Sequence, residues 1–426
     1  MYPSSIFQIC CKSFAYIVVT LLVVVALALS LARLLVPSIE SYKSDVEVWV
    51  SEQIGQQVEI ATLDAGWYGV EPQLILKGVR LLSDDRMQIH GYFQQARLGI
   101  DLYSSALEGR LLPGAFTLEG ARFVLVRQTD GNVSIEGLAN STETENSENK
   151  HLLDEWLFKQ RFLEVKNSEI VWIDLRKDGK PSVFSDVNLR LRNDGASHRV
   201  DGWVNLPDSL GARLEVAIDV QGSLLSGNTW SGEVYVETEK LNVAELSQYF
   251  PEESLNIGGG KVNFRLWSHW DNAKLVSVRG NASLNDVQVS AKHVARMRVI
   301  NQLTTNFLAV NTHRDWEITL DKVQVKSGRR LWPQTRIDIK YNPQSGRLDT
   351  ELAYLDLKEV LPLMRFVMPR NSELSKTILG LNATGIVSDL FMQFHPGGKQ
   401  DEYFATGRLS GLTTHPWRDI PGVQNL

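Results

Sequence analysis

Cysteine is nearly absent from this chain of 426 residues. The two cysteines, Cys10 and Cys11, are adjacent, which places them too close in sequence to staple a fold. All of the sequence after residue 11 has none. Disulfide bonds therefore contribute nothing to the fold of that part of the chain.

A surplus of positive charge is missing as well. The chain has 44 Lys and Arg residues against 50 Asp and Glu residues, a formal net charge of -6, and no basic tract. Binding to nucleic acid through its phosphates depends on clustered basic side chains. The composition therefore argues against nucleic acid as the main partner.

Catalytic and metal-binding motifs are missing too. The sequence contains no HExxH, GxSxG, CxxC or GxGxxG, and its eight histidines are scattered without ligand spacing. The nearest lookalike is GGGK at 258–261, which fails the phosphate-loop pattern because Leu255 and Val262 stand where Gly and Ser or Thr are required. We predict a tight turn at GGGK, no enzymatic activity, no cofactor and no metal.

One long hydrophobic run is present near the N-terminus. Residues 13–32, SFAYIVVTLLVVVALALSLA, contain no charged residue, Asn, Gln, Pro or Gly. A helix of that length spans roughly 30 Å, the thickness of the hydrocarbon core of a bilayer. A cleavable signal peptide is the alternative, because residues 30–32 have a small-x-small pattern, but the run continues to Val36 and exceeds a signal core. We predict a single membrane-spanning helix at 13–36 after a short tail at 1–12, and charge leaves its orientation open.

The segment at 37–55 has the pattern of an amphipathic helix. Apolar residues recur at helical spacing between Pro37 and Gly55. Such a helix could lie on the bilayer surface or cap the open end of a β structure. The acidic residues Glu40, Asp45 and Glu47 do not suit an anionic lipid surface, so capping is favoured.

From Gln57 onward the hydrophobic period changes from helical to alternating. Alternation over many short segments predicts half-buried antiparallel strands in a first block at 56–139 and a second block at 151–426. Between them, residues 140–150 have no apolar side chain and predict a flexible linker. Helical patterns are brief, near 242–250 and 357–368, with a less certain one near 294–307.

A short cassette recurs along the strands. In each copy, a small or polar pair of residues interrupts the alternation of apolar and polar side chains, which then continues. The copies are LKGVRLL from residue 76, LEGARFVLV from 118, VKNSEIVWI from 165, LNDVQVS from 284, LDKVQVK from 320 and LSGLTT from 409. A larger unit also repeats, since LNVAEL at 241–246 and LDLKEV at 355–360 each open a short helix after a run of strands. Such repeats favour an extended assembly in which each unit packs on its neighbours, although a sandwich shares the signal.

The apolar face of these strands is the candidate functional surface. It could be the filled core between two sheets, or the sheet could curl into a trough whose apolar inside accepts acyl chains. Membrane anchorage and repetition favour the trough. Its candidate lining residues are Leu74, Leu76, Leu98, Ile100, Phe116, Leu118, Phe123, Leu125, Val187, Leu189, Val216, Ile218, Val234, Val236, Val262, Phe264, Val287, Val289, Ile318, Leu320, Val323, Val325, Ile337 and Ile339.

Several landmarks resemble one family. They are GQQVEIATLDAGWYGVEPQLILKGVRLL at 55–82, RFLEVKNSEIVWIDL at 161–175, RRLWPQTRIDIKY at 329–341 and PWRDIPGVQNL at 416–426. In this order, after a membrane helix and an amphipathic helix, they resemble the N-terminal portion of the AsmA-like, TamB-related bacterial envelope proteins.

That resemblance implies an extended, repetitive antiparallel β-sheet curled into a groove, anchored in the inner membrane with its bulk in the periplasm and residues 1–12 in the cytoplasm. It implies transport of phospholipid to the outer membrane in support of outer-membrane integrity, with acyl chains and the inner membrane as partners and no catalytic residue. Family members are longer, so we expect the second block to be truncated. The cassette at 407–412 would then expose an unpaired edge, and further partners would be the missing part of the groove or outer-membrane components. An envelope assembly factor that binds proteins through its β-domain is the alternative.

Overall fold

A mainly β architecture is seen in the computed structural model. The residues that the structure describes are 16, 18–20, 22–23, 36–54, 57–68, 71–82, 89–102, 105, 107, 109, 113–136, 161–176, 179–222, 229–247, 256–291, 294–328, 330–361, 373–396 and 402–426. They belong to two compact units, Met1–Ser182 and Val183–Leu426. The prediction of a mainly β chain with few short helices is confirmed for this part of the chain. The predicted linker at 140–150 lies outside the described residues.

Most of the predicted membrane helix at 13–36 also lies outside the described residues. Residues 16, 18–20 and 22–23 are helical, and the side chains of Tyr16, Val19, Leu22 and Val23 are each more than half exposed. Within the described ranges, no helix has both the length and the apolar character needed to cross a membrane.

The first unit begins with a short helical region packed on a sheet. A 3₁₀ turn at Val36–Tyr42 leads into helix α1, Lys43–Ile54. The strands that follow are β1 Gln57–Tyr68, β2 Glu71–Leu82, β3 Ile89–Ile100, β4 Pro113–Arg127, β5 Val133–Glu136 and β6 Phe162–Asp174. Strands β1 to β5 pair antiparallel in chain order.

Strand β6 departs from the all-antiparallel prediction. It pairs parallel with β4, with Ala115 opposite Phe162 and Arg127 opposite Asp174. A parallel return needs a long connection, and residues 137–160 provide one. The sheet of this unit is therefore mixed.

Helix α1 packs against the start of this sheet. Ile39, Val46 and Val50 contact a buried cluster that includes Ile60 and Leu63, which are 0% and 1% exposed. Two hydrogen bonds fix the helix: the backbone N–H of Ile60 donates to Glu47 Oε1 at 2.7 Å, and that of Val58 donates to Ser51 Oγ at 2.9 Å. This end of the apolar sheet surface is thus covered by the helix.

The second unit is one antiparallel ladder. Its strands are β7 Pro181–Asp194, β8 Ser197–Asn205, β9 Arg213–Gln221, β10 Ser231–Asn242, β11 Asn256–Asp271, β12 Lys274–Ala291, β13 Val294–Asn311, β14 Trp316–Ser327, β15 Arg330–Leu331, β16 Thr335–Tyr341, β17 Leu348–Asp356, β18 Thr384–His395 and β19 Glu402–Thr413. Each strand pairs with the next, except that β14 carries both the short β15 and β16. No described pairing joins the two ends of this ladder, so its sheet is open.

Two local predictions in this unit are wrong. The weak helical pattern near 294–307 lies in strand β13, because pairing with β12 and β14 outweighs a marginal local preference. GGGK at 258–261 lies inside β11 and is not a tight turn. Gly260 there has a φ of +121°, and the pairing with β12 shifts register around Gly259. The glycines therefore form a bulge within a strand.

The helices of this unit match the predictions in part. Helix α2 at Val243–Ser247 falls within the predicted 242–250. Residues 357–361 are helical, while the remainder of the predicted 357–368 lies outside the described residues. Helix α3 at Glu373–Leu381 was not predicted.

Strand β19 is the last of the ladder and is exposed along residues 402–411. The end of the chain folds back on it, with Leu412 and Leu426 exchanging backbone hydrogen bonds of 3.1 and 3.0 Å. The prediction of an unpaired edge at the 407–412 cassette is therefore wrong at Leu412, which pairs with Leu426. Among the described residues, Glu402–Ser410 have no partner strand on that edge.

The recurring cassette has a common backbone conformation. Its third residue has a positive φ of 48° to 62° in all six copies, at Gly78, Gly120, Asn167, Asp286, Lys322 and Gly411. At Asp286, Lys322 and Gly411 the strand pairing shifts register, so these copies form β-bulges, which add a residue to one strand. At Gly78, Gly120 and Asn167 the neighbouring strands stay in register across the cassette. The apolar series then advances by three residues instead of two, from Leu76 to Val79 and from Leu320 to Val323, and stays on one face.

A β-branched side chain should not be tolerated at a bulge residue. Lys322→Val places it at a φ of +52°, where L-residues are strained, so we expect a loss of about 1 kcal/mol or more in the free energy of unfolding. Lys326→Val, on the exposed part of the same strand, should stay within about 0.5 kcal/mol. Urea unfolding measures both, and equal effects would contradict the bulge assignment.

Candidate functional site

Apolar side chains of neighbouring strands line up across the second unit. Ile218 on β9 lies between Val200 on β8 and Val234 on β10, and Val216 lies opposite Val236. Residues opposite one another in a ladder share a face of the sheet. This register therefore builds a continuous surface, which we call the apolar face.

The apolar face continues along the ladder. Leu320 on β14 lies between Phe307 on β13 and Ile337 on β16. Ile318 lies in the same way between Ala309 and Ile339. Further pairs on this face are Val262 with Leu284, Phe264 with Ala282, Val325 with Leu303, and Val287 with Ile300.

The candidates in the first unit form a corresponding surface of their own. Leu98 lies between Leu74 and Phe116, and Phe116 is opposite Leu163 on the parallel strand β6. Leu76 and Leu118 both face Ala96, while Phe123 and Leu125 face Ile170 and Trp172. Ile100 lies at the end of β3, opposite Pro113.

Exposure distinguishes this surface from a filled core. Of the 24 candidates, only Leu76, Val287, Val289 and Val323 are buried, and Leu189, opposite Gly202, is 38% exposed. The other candidates, including Val187, are half-buried. A second sheet packed on this face would remove most of that surface from water. The apolar face is therefore partly accessible along the strands.

Several other residues lie on these apolar surfaces but are not among the 24 candidates predicted from the sequence. Leu63 is opposite Leu76, Leu266 is opposite Val236, and Leu352 is opposite Ile337. Phe307 was hidden within the segment with the weak helical pattern. Strand register is the information that identifies them, because each residue lies opposite a known apolar residue once its partner strand is known.

The opposite surface of the sheets is charged, and we call it the polar face. It carries cross-strand ion pairs, among them Glu59 with Arg80 at 3.6 Å, Asp64 with Lys77 at 2.7 Å, Arg97 with Glu119 at 3.2 Å, Arg199 with Asp219, Glu237 with Arg265 at 2.5 Å, and Glu317 with Lys340 at 3.3 Å. Most of these side chains are well exposed, so each pair adds little stability. These strands therefore present a charged, solvated face on the side opposite to the apolar face.

Two neighbouring side chains on the polar face, Glu237 and Tyr235, have shifted pKa values. The hydrogen bond from Arg265, followed by that from the Tyr235 hydroxyl, lowers the pKa of Glu237 below its usual value. Burial and the Glu237 hydrogen bond raise the pKa of Tyr235. Glu237 is therefore ionised at neutral pH and fixes the side chains around it.

A chain of open β-sheets with one apolar and one ion-paired face belongs to the class of amphipathic β-sheet proteins. The chain is a member of the YhdP family, since the model of the YhdP protein family matches residues 1–426. The resemblance to the AsmA-like envelope proteins is thereby confirmed.

A named relative is more distant. The "Intermembrane phospholipid transporter YhdP" of Escherichia coli (strain K12) is 19% identical over 423 residues, which cover 95% of this chain. The chain spans only 32% of the length of that relative. No solved structure matches the chain.

Proposed function

We propose that this chain is a membrane-anchored lipid-transfer protein whose apolar face carries the acyl chains of phospholipids between the inner and outer membranes. The observation that supports this function is the partly accessible apolar face, continuous in register from β8 to β17. Acyl chains would cover the half-buried side chains at a gain of about 25 cal/mol per Å² of apolar surface removed from water. The polar face would remain in water.

The family supports the same function. The E. coli relative is named as an intermembrane phospholipid transporter, and this chain matches a third of its length. We extend that activity to this chain as a proposal. It requires no catalytic residue, because the lipid is moved and not transformed.

Lipid bound to the purified chain is the direct test of this function. The full chain, extracted in mild detergent and examined by native mass spectrometry, should carry phospholipid that resists exchange into excess detergent. Retention is expected because detergent must displace acyl chains along several strands. A chain that becomes free of lipid at once in the same detergent would contradict the proposal.

Membrane anchorage is part of the proposal. Residues 13–36 are long and apolar enough to span a bilayer, and we place the tail 1–12 in the cytoplasm and the β units in the periplasm. We expect the chain to remain in the membrane fraction after washing with carbonate, with a mature N-terminus before Ser13. Mature protein that begins at Arg33 and is released by carbonate would show a cleaved signal peptide.

A protein-binding role is the second candidate. The edge of β19 at 402–410 and its exposed aromatic residues Tyr403 and Phe404 favour it, since a free strand edge can accept a strand from another protein. Native mass spectra of the purified chain distinguish the two functions. A second protein bound in a fixed ratio, without lipid, would favour the assembly factor.

A further inference from the structure

A cavity in the second unit is lined mostly by residues of the polar face. Its volume is about 510 Å³, within the range of roughly 300–1,000 Å³ that is typical of small-molecule sites. It crosses strands β10 to β14, and we call it the amide cavity after its lining residues Asn263, Asn281 and Asn306. Glu239, Lys322 and Gln334 line it as well.

The position of the cavity follows from strand alternation. Asn263 and Arg265 flank Phe264 on β11, and Asn281 and Ser283 flank Ala282 on β12. Phe264 and Ala282 belong to the apolar face, so their neighbours point to the opposite side. Most of the lining of the amide cavity is therefore on the polar face, while Phe264 and Ala282 of the apolar face complete it.

Part of the lining is held in place by hydrogen bonds. The backbone N–H of Lys240 donates to Asn263 Oδ1 at 2.7 Å, and Asn263 Nδ2 donates to Ser283 Oγ at 3.0 Å. Arg265 is held by Glu237 at 2.5 Å. These side chains form a prearranged floor.

Other lining groups are exposed to solvent and make no hydrogen bond or ion pair with the described part of the chain. Asn281 and Asn306 are directly opposite in the ladder, and among the described residues neither amide has a protein partner. The side chains of Lys322 and Glu239 are likewise unpaired within the described ranges. Their charges are opposite, so the cavity has no strong preference for an anion or a cation.

An aromatic surface adjoins the cavity. The rings of Tyr235 and Trp267 contact each other, with centroids 5.1 Å apart and planes tilted by 44°. They lie two residues from Glu237 and Arg265 on the same strands and on the same face. Aromatic rings beside amide and carboxylate groups offer an apolar platform next to hydrogen-bonding groups.

We propose that the amide cavity binds a neutral, hydroxyl-rich ligand, a segment of carbohydrate chain. Each Asn amide supplies both a donor and an acceptor, as a hydroxyl group requires. The balanced charges suit an uncharged ligand, and the ring pair at Tyr235 and Trp267 suits the C–H face of a sugar. This site lies mainly on the polar face and goes beyond lipid transport.

Binding is tested on the full chain in mild detergent. Saturation-transfer difference NMR with maltohexaose and with chitohexaose should show transfer to at least one of them. The double variant Asn281→Ala, Asn306→Ala should bind it about tenfold or more weakly, since two hydrogen-bonding groups are lost. Gln334→Ala, an exposed change that leaves the strands intact, should weaken it several-fold.

The matched control is His269→Ala, an exposed position on the same face of β11 outside the cavity, which should bind as the unmodified chain does. Absence of transfer to both oligosaccharides up to about 10 mM would overturn the proposal. Equal weakening by His269→Ala and Gln334→Ala would overturn it too. Binding of glycerophosphoethanolamine in place of the oligosaccharides would assign the cavity to a zwitterionic headgroup and contradict a carbohydrate site. Lipid retention, measured on the same samples, reports separately on the transfer function.

Discussion

Ile218→Asp is expected to remove most of the bound phospholipid from the purified chain. Ile218 lies in the middle of the apolar face, between Val200 and Val234, and is half-buried. An ionised carboxylate there would lie against acyl chains without a partner, which costs several kcal/mol. Native mass spectrometry should show the loss of lipid, and Asp at Val216 or Phe264 should act in the same direction.

The control for Ile218 is its neighbour. Ala217 is on the polar face, opposite Tyr235 and Asp201, so Ala217→Asp should leave lipid retention unchanged. Thermal melts must accompany the lipid measurement, because a filled core would respond to Ile218→Asp by unfolding. Loss of lipid with an unchanged melt supports an open apolar face. Equal lipid loss from Ala217→Asp would contradict a one-sided surface.

Leu63→Ala is expected to lower the free energy of unfolding of the first unit by about 2–5 kcal/mol. Leu63 is 1% exposed and packs in the cluster that α1 covers, so truncation leaves a cavity that rigid strands cannot close. Urea unfolding followed by circular dichroism measures the change.

The matched control for Leu63 is Thr62→Ala. Thr62 is exposed on the same strand, and its truncation should change the free energy of unfolding by no more than about 0.5 kcal/mol. A cost below about 1 kcal/mol for Leu63→Ala would show that the cluster is not a packed core.

The strand content and the apolar face could be predicted because both depend on a local pattern. Alternation places Val216 and Ile218 on one side whatever strand lies beside them. The cassettes were also visible, since a small or polar pair interrupts the alternation. That Lys322 and Asp286 take a left-handed φ could not be read, because neither residue type requires one.

Pairing between distant segments could not be predicted. The parallel pairing of β6 with β4 could not be read because nothing in the local alternation of either strand names its partner. The strand at 294–311 depends on two partners that override its local preference. The amide cavity was missed because Asn263, Asn281 and Asn306 come from three strands and meet only through register.

Photocrosslinking from each face of one strand tests the proposed lipid path most directly. Phe307 on β13 belongs to the apolar face, opposite Gly280 and Leu320, while Leu308 lies on the polar face, opposite Arg279 and Thr319. Benzoylphenylalanine at 307, activated by light in intact cells, should form phospholipid adducts, and at 308 it should not. Adducts of equal yield at both positions, or none at 307, would contradict a path for acyl chains along the apolar face.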